Sequence, residues 1–352
     1  MPNNDNTIFA PTAARAMIIK GGRIKWWERR GGKALGFKYF DAKGHPITEE
    51  TAIERIRALV IPPAWKYVRI CPSTHGRLQA VGMDTRGRIQ YRYHPTFSKK
   101  QSRKKFAKVG SFGQALPRLR SATSEHLALQ GLPKEKVLAA MLRLINSLYF
   151  RLGTDLSEKH YKTYGITTLK KDHLAIKPKG KLIFDFVGKS HVQHRKVLVD
   201  DQLSAVIKEI VALPRGSRLF RYLDTDGKQR TIRPSELNAY LKSVTDPQFS
   251  SKDFRTWGGT LLAASALAEI GKGETEAEVK KNVVNAVKRV ADELGNTPAV
   301  CRSSYIHPAV LDAYAAGITI EEFTPRSKRK IKGSQAGLEP EEAALLKLLQ
   351  RS

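Results

Sequence analysis

Lys252-Asp-Phe-Arg-Thr-Trp-Gly-Gly259 opens the decisive stretch, two helical segments follow it, and Leu294-Gly-Asn-Thr-Pro298 and Ser303-Ser-Tyr-Ile-His-Pro308 close it. It offers a permanent cation at Arg255, a neutral hydrogen-bond donor at Asn296 and a phenol at Tyr305. In a chain this basic, the set points to phosphoryl chemistry on a nucleic acid. Leu261 to Ile270 is Ala-rich and suits close helix packing. Thr275 and Glu278 have capping-box spacing, and Val279, Val283, Val287, Val290 and Leu294 behind them form one apolar stripe. Asn296 caps or follows that helix, and Pro308 to Ala315 predicts the last core helix. His307 stands two residues past the phenol and reads as structural rather than as a base. Tyr314, a rival phenol between Ala313 and Ala315, reads as helix core.

Upstream, Glu135 to Phe150 carries Val137, Leu138, Met141, Leu142, Ile145, Leu148 and Tyr149 at helical spacing, a core stripe. It delivers Arg151 at its carboxyl end, where the helix dipole favours a cation. The period then drops to two. Ile166 to Leu169, His173 to Ile176, Lys181 to Val187 and Lys196 to Val199 predict a small antiparallel sheet, with Lys189 in the turn between the last two strands. Gly188-Lys189-Ser190 is not a phosphate-binding loop, which needs a glycine where Ile183 stands. ATP use is therefore not expected. Asp201 to Leu213 and Ser235 to Val244 read as further helices, separated by the polar turn Asp224-Thr225-Asp226-Gly227.

The amino-terminal part has shorter periods. Ile24 to Arg29, Phe37 to Asp41, Tyr67 to Cys71, Leu78 to Met83 and Ile89 to Tyr93 read as strands, and Thr51 to Leu59 as one helix stopped by Pro62-Pro63. In the last strand Tyr91 and Tyr93 alternate with Gln90, Arg92 and His94, so aromatic and polar side chains take opposite faces. Two readings stand: the tyrosines stack on or bracket a nucleic-acid backbone, or they pack the sheet core and only Arg92 faces solvent.

The formal net charge of 352 residues is +29, and the first 110 hold 23 Lys+Arg against 7 Asp+Glu. Such a charge draws a polyanion and speeds encounter with it, which makes the amino-terminal region a gripping surface. From Arg86 to Lys108 there are nine basic residues and no acidic one. The domain boundary is placed in this run. Cys71 and Cys301 lack metal-site or disulfide spacing and read as free thiols in a reducing compartment. No apolar run approaches a membrane span and Met1 to Lys20 lacks a secretory core, so a cytoplasmic, nucleoid-associated protein is expected. The tail carries a basic run, Arg326 to Lys332, and an amphipathic segment, Pro340 to Leu349, expected to dock on the body or on the outgoing strand.

Together Tyr149-Phe-Arg-Leu-Gly153, Tyr164-Gly-Ile-Thr-Thr-Leu169, Phe186-Val-Gly-Lys189, Lys252 to Gly258, and Leu294 to Pro298 followed by Ser304-Tyr305 resemble the poxvirus-type DNA topoisomerases IB and their bacterial relatives, over most of the chain. The resemblance implies that Tyr305 is the nucleophile, forming a 3′-phosphotyrosyl enzyme and a free 5′-hydroxyl. It implies that Arg151 and Arg255 clamp the phosphodiester and that Lys189 protonates the departing 5′-oxygen. Poxvirus members carry histidine in the Leu-Gly-His-Thr-Pro motif where this chain has Asn296; an amide donates a hydrogen bond there but carries no charge. Lys252 assists proton relay or contacts phosphate. DNA contacts are expected from Tyr91, Arg92, Tyr93 and Lys252, with no metal, no cofactor and no nucleotide.

The expected fold is α+β: a small antiparallel sheet domain, 23–105, between a flexible arm, 1–22, and a mostly helical catalytic domain, 106–325, with a three- or four-stranded sheet as in tyrosine recombinases; 326–352 form a basic tail with a short helix. The expected activity is relaxation of positive and negative supercoils by transient single-strand cleavage, swivelling and religation. The expected partner is double-stranded DNA, with a monomer closing around it as a clamp. A tyrosine recombinase and a non-catalytic nucleic-acid binder are the alternatives.

Overall fold

The computed structural model describes residues 25–32, 36–320 and 337–351. The expected arm, the residue Ile24 and the basic run Arg326 to Lys332 lie outside them. The chain forms two compact units, 1–104 and 105–352.

In the first unit β1 (Trp27–Gly32), β2 (Gly36–Phe40), β3 (Lys66–Ile70), β4 (Leu78–Met83) and β5 (Ile89–Tyr93) form an antiparallel sheet in the order β2-β1-β3-β4-β5. Helix α1 (Glu50–Ala58) lays Ile56 on Val68, Ile70 and Ala80. Arg55 ties the helix to the sheet by donating to the Gln79 side chain at 2.9 Å and the Cys71 carbonyl at 2.7 Å. On β5 the second of the two readings fails, because the tyrosines are exposed and Arg92 is the side chain that turns in. Tyr91 and Tyr93 are 39% and 45% exposed, with rings near parallel and 6.0 Å apart. Arg92 turns inward, half-buried, and donates to the Val60 carbonyl at 2.7 Å. The tyrosines therefore do not fill the sheet core, which the far shorter Val68, Ile70 and Ala80 close with Ile56.

Helix α2 (Pro95–Ala107) contains the division between the units, so the part of the basic run from Lys99 to Lys105 is helical where a boundary segment is expected. The second unit is built on α3 (Val109–Leu127) and α4 (Lys134–Leu148), whose apolar faces join one large core. A short helix α5 (Asp155–Tyr161) follows. Strands β6 (Leu174–Lys177), β7 (Lys181–Val187) and β8 (Gln193–Val199) form a three-stranded antiparallel sheet. The expected strand at Ile166 to Leu169 is instead a 3-10 turn, Ile166–Thr168. One threonine bonds locally and the other reaches back along the chain: Thr168 Oγ1 accepts from the Gly165 amide at 3.0 Å, and Thr167 Oγ1 donates to the Leu152 carbonyl, fifteen residues earlier, at 2.8 Å. Such bonds compete with a sheet ladder.

Helices α6 (Asp201–Ala212) and α7 (Pro234–Val244) flank a two-stranded hairpin, β9 (Arg221–Leu223) and β10 (Gln229–Thr231), around the polar turn. Helix α8 (Ser251–Ile270) absorbs the whole Lys252 to Gly259 motif, which the sequence places ahead of the helix. Asp253 caps it by accepting from the Ser250 amide at 2.8 Å. Gly259 is a packing residue, since a Cβ there would lie 2.7 Å from the Tyr305 carbonyl oxygen. Then come α9 (Glu276–Leu294), opened by the Thr275–Glu278 box, α10 (Pro298–Ser304) and α11 (Pro308–Ala315). The tail helix α12 (Pro340–Arg351) docks on the body. Leu345 and Leu346 enter the core, and Glu342 forms a bidentate pair with Arg120 of α3 at 2.7 and 2.8 Å. Among the described residues no helix is long and apolar enough to cross a membrane.

Candidate active site

Three chain breaks converge in the second unit. Helix α4 ends at Tyr149 in the left-handed region (φ 56°), and the chain leaves it extended so that Arg151 can reach across to the end of α9. Gly295 caps α9, also left-handed, and Asn296 follows. Tyr305 ends α10. The turn at Ile166–Thr168 fixes the arginine's backbone, because the Ile166 amide donates to the Arg151 carbonyl at 2.8 Å.

Arg151 Nη2 donates to the Asn296 side-chain oxygen at 2.5 Å and to the Gly295 carbonyl at 3.1 Å. From α8, Arg255 donates to the Tyr149 carbonyl at 2.7 Å and the Leu294 carbonyl at 2.8 Å, and its guanidinium carbon lies 5.0 Å from the centroid of the Tyr305 ring. Both arginines are held by carbonyls, and among the described residues neither has a carboxylate within ion-pair distance. Burial first, and then the charge of Arg255, push the Arg151 guanidinium down to about 10, opposed by Tyr305 and Cys301. It stays charged at neutral pH. Two buried donors in this cradle, Arg255 Nε and Asn296 Nδ2, make no hydrogen bond of ordinary geometry to the described residues, although the Asn296 side chain lies near enough to the Cys301 thiol to lower its pKa. Unpartnered buried donors also occur away from the cradle, at Arg221 Nε and Trp26 Nε1, so it is the two uncompensated cations beside Tyr305 that suit an anion bringing its own oxygens.

Lys189 sits exposed at the tip of the β7–β8 hairpin, in a 3-10 turn, Lys189–His191. It lines a small cleft together with Arg151, Arg255 and His194. Tyr305 is half-buried, and the Thr260 hydroxyl meets its carbonyl at 3.2 Å, fixing the end of α10 against α8. The structure thus brings together Arg151, Arg255, Asn296 and Tyr305, with Lys189 on the rim. Lys252 is exposed on the first turn of α8 and makes no bond to the cradle. Tyr91, Arg92 and Tyr93 belong to the other unit.

His307 is structural: its Nδ1 accepts from the Ala309 amide at 3.2 Å as the cap of α11, its ring stands edge-on to Phe106, and burial lowers its pKa. Tyr314 is core, with its hydroxyl donating to the Gly271 carbonyl at 2.7 Å. The sequence did not single out His194 or the Cys301 thiol as parts of the site. Cys301 is fully buried; burial raises its pKa, against the lowering effects of Arg255, the Asn296 side chain and Arg151. The signal for His194 was in the strand pairing, which sets it opposite Phe186, two residues before Gly188.

A sequence profile of the eukaryotic DNA topoisomerase I catalytic core matches residues 94–331, and one of the bacterial DNA topoisomerase IB amino-terminal domain matches 36–84. The chain is 33% identical to the DNA topoisomerase 1B of Acanthamoeba polyphaga mimivirus over 294 residues, covering 82% of this chain and 86% of the viral one. The chain belongs to the type IB DNA topoisomerases. More distant members include the vaccinia virus DNA topoisomerase 1B, 22% identical over 67% of this chain and 72% of the viral one. The fission yeast DNA topoisomerase 1 is 26% identical over 56% of this chain but only 23% of its own length. Membership in this isomerase family favours the topoisomerase over the recombinase and the passive binder.

Proposed function

We propose that this type IB topoisomerase relaxes positive and negative supercoils with Tyr305 as nucleophile and Arg151, Arg255, Asn296 and Lys189 as its electrophilic partners. The phenolic oxygen attacks a backbone phosphorus, the bond from phosphorus to the 5′-oxygen breaks, and the phenolic proton leaves to water. Lys189 gives a proton to the departing 5′-oxygen. A phosphodiester has been exchanged for a phosphotyrosyl diester of similar energy, so religation by the reverse path needs no nucleotide. Charge grows on the non-bridging oxygens in the transition state, where fixed cations and donors stabilise it most. Asn296 serves there as a neutral donor through Nδ2 while Arg151 holds its oxygen.

The observation that carries the reading is the pair of guanidiniums at the Tyr305 ring, Arg255 buried and Arg151 half-buried, both held by amide oxygens and left without a carboxylate among the described residues. The same reading takes the enzyme as a monomer that closes on duplex DNA, with Tyr91 and Tyr93 stacking and Lys252 meeting the backbone, and places it on the nucleoid; Arg92, bonded to the Val60 carbonyl, drops out of the set of backbone contacts. The assignment 23–105 for the gripping domain and 106–325 for the catalytic domain belongs to it.

The test is relaxation of a supercoiled plasmid in chelator without nucleotide, with adducts trapped by detergent. Relaxation and a covalent DNA adduct that both vanish in Tyr305→Phe support the reading. DNA binding with neither, in the unaltered protein, sinks it.

A further inference from the structure

The ring of His194 fills the space between two glycines that lie far apart in sequence. A Cβ added to Gly188 would meet His194 Cδ2 at 2.4 Å and Nε2 at 2.6 Å; one added to Gly295 would meet Cε1 at 2.2 Å and Nε2 at 2.9 Å. Each glycine directly precedes a residue of the proposed chemistry, Lys189 and Asn296. Phe186, the pairing partner of His194 across the hairpin, stacks on the ring at 5.3 Å and 27°. Two residues along the same face of β8, Lys196 donates to the Glu293 carbonyl at 2.6 Å and carboxylate at 2.8 Å, tying the strand to the end of α9. One flat ring therefore sets the spacing between the hairpin tip and the arginine-asparagine cradle.

We propose that His194 is a positioning residue, whose ring holds the Lys189 tip at the reach from the cradle that protonation of the leaving oxygen requires. The inference rests on the assignment of Lys189 as general acid. The imidazole suits the task because it stays neutral. Its own burial first, and then Arg151, Lys196 and Arg255, push it down to about 4, against a weaker pull from Glu293. A cation here would add repulsion to the cradle, and the strained left-handed backbone at Ser190 and His191 leaves the tip no regular ladder to fix it from the other side. A misplacement of about 1 Å in such a group costs on the order of 100-fold in rate.

The test is single-turnover cleavage of two suicide substrates by the full-length enzyme, one with the natural 5′-oxygen and one with sulfur at the bridging position. A thiolate leaves without a proton, so loss of a general acid is felt only on the oxygen substrate. His194→Ala is expected to cleave the oxygen substrate roughly 10- to 100-fold slower than the unaltered enzyme and the sulfur substrate within about threefold of it. His194→Phe, which keeps a flat neutral ring, is expected to recover at least half of that loss on a logarithmic scale. Equal slowing of His194→Ala on both substrates overturns the inference, as does a His194→Phe enzyme no faster than His194→Ala. Lys189→Ala is run beside them. If Lys189→Ala is rescued by sulfur and His194→Ala is not, the positioning role alone fails; if sulfur does not rescue Lys189→Ala, the general-acid assignment fails and carries the inference with it.

Discussion

Two buried arginines of the helical unit, Arg120 and Arg255, are alike in burial, 7% and 5% exposed, and opposite in company. Arg120 meets Glu342 in a bidentate pair that pins the tail helix to α3. Arg143 repeats the pattern with Asp200 at 2.7 Å. Arg255, like Arg151 beside it, is held by backbone carbonyls and keeps its charge unopposed. Taking a guanidinium out of water costs several kcal/mol, and a carboxylate partner recovers much of that. Carbonyl dipoles recover less, so the cradle is under-neutralised, and an arriving phosphodiester supplies the missing charge. Arg221, 3% exposed and held by the Leu213 and Pro214 carbonyls and the Gln229 side chain, shows that a missing carboxylate alone does not mark a site; what sets Arg255 apart as an arginine that waits for substrate is the second cation, Arg151, and the Tyr305 ring beside it.

The sharpest way to break this comparison begins with the nucleophile. Tyr305→Phe is expected to abolish the covalent adduct while leaving duplex affinity, measured by equilibrium binding, within about twofold of the unaltered protein; an adduct that survives would move the nucleophile elsewhere. Arg255→Ala is expected to slow single-turnover cleavage by about 10²- to 10³-fold. Arg255→Lys should not restore it, because one ammonium cannot span the Tyr149 and Leu294 carbonyls and still face the phosphate. Arg120→Ala is expected to do the reverse, lowering stability in urea melts by about 3–5 kcal/mol through the stranded Glu342 while the folded enzyme cleaves at its normal rate. If the two variants fail in the same assay, the division between holding and waiting arginines is wrong.

The under-neutralised cradle also has a signature in pH. His194 has its folded pKa pushed from 6.5 to about 4 by burial and the neighbouring cations. A base whose folded pKa is depressed binds its proton in the unfolded chain first, so stability is intact above about 6.5 and falls as pH drops from there towards 4. The full loss from this group is on the order of 3 kcal/mol. Urea melts at pH 7 and pH 4.5 should show the fall in the unaltered protein and a smaller one in His194→Phe, carboxylates being common to both. An identical fall in the two proteins would mean that neither burial nor the neighbouring cations hold down the pKa of this ring.

Much of this was legible in the sequence because the signals were local. Alternation at Leu78 to Met83 and Ile89 to Tyr93 gave β4 and β5 to the residue, and the Thr275–Glu278 box opened α9. The failures are places where tertiary contacts outvote the local pattern. Ile166-Thr167-Thr168-Leu169 alternates like a strand, but its amides are taken by the chain leaving α4. Lys252 to Gly259 is placed ahead of the helix by the sequence, yet it lies inside α8, where Gly258 packs on Tyr149 and Gly259 on Tyr305. The cradle residues could be named from motifs, whereas the hold of Asn296 on Arg151 and the wedge of His194 depend on where three chain ends meet. No single window of sequence contains that.

The smallest effects are expected in the other unit, where charge and aromatic surface stay in water. Tyr91→Ala and Tyr93→Ala are each expected to weaken duplex binding about fivefold, the loss of about 1 kcal/mol of stacking, with no change in cleavage once bound. Lys252→Ala decides between the two roles open to that exposed lysine, which lies on the active-site helix yet bonds to none of the cradle. A phosphate contact lowers the slope of log affinity against log salt by about one and leaves cleavage in the saturated complex untouched. A proton relay does the opposite: the salt slope stays and the rate at saturation falls. The first result would place Lys252 with the solvent-exposed gripping residues and leave the proton transfer to Lys189 at the rim of the cradle.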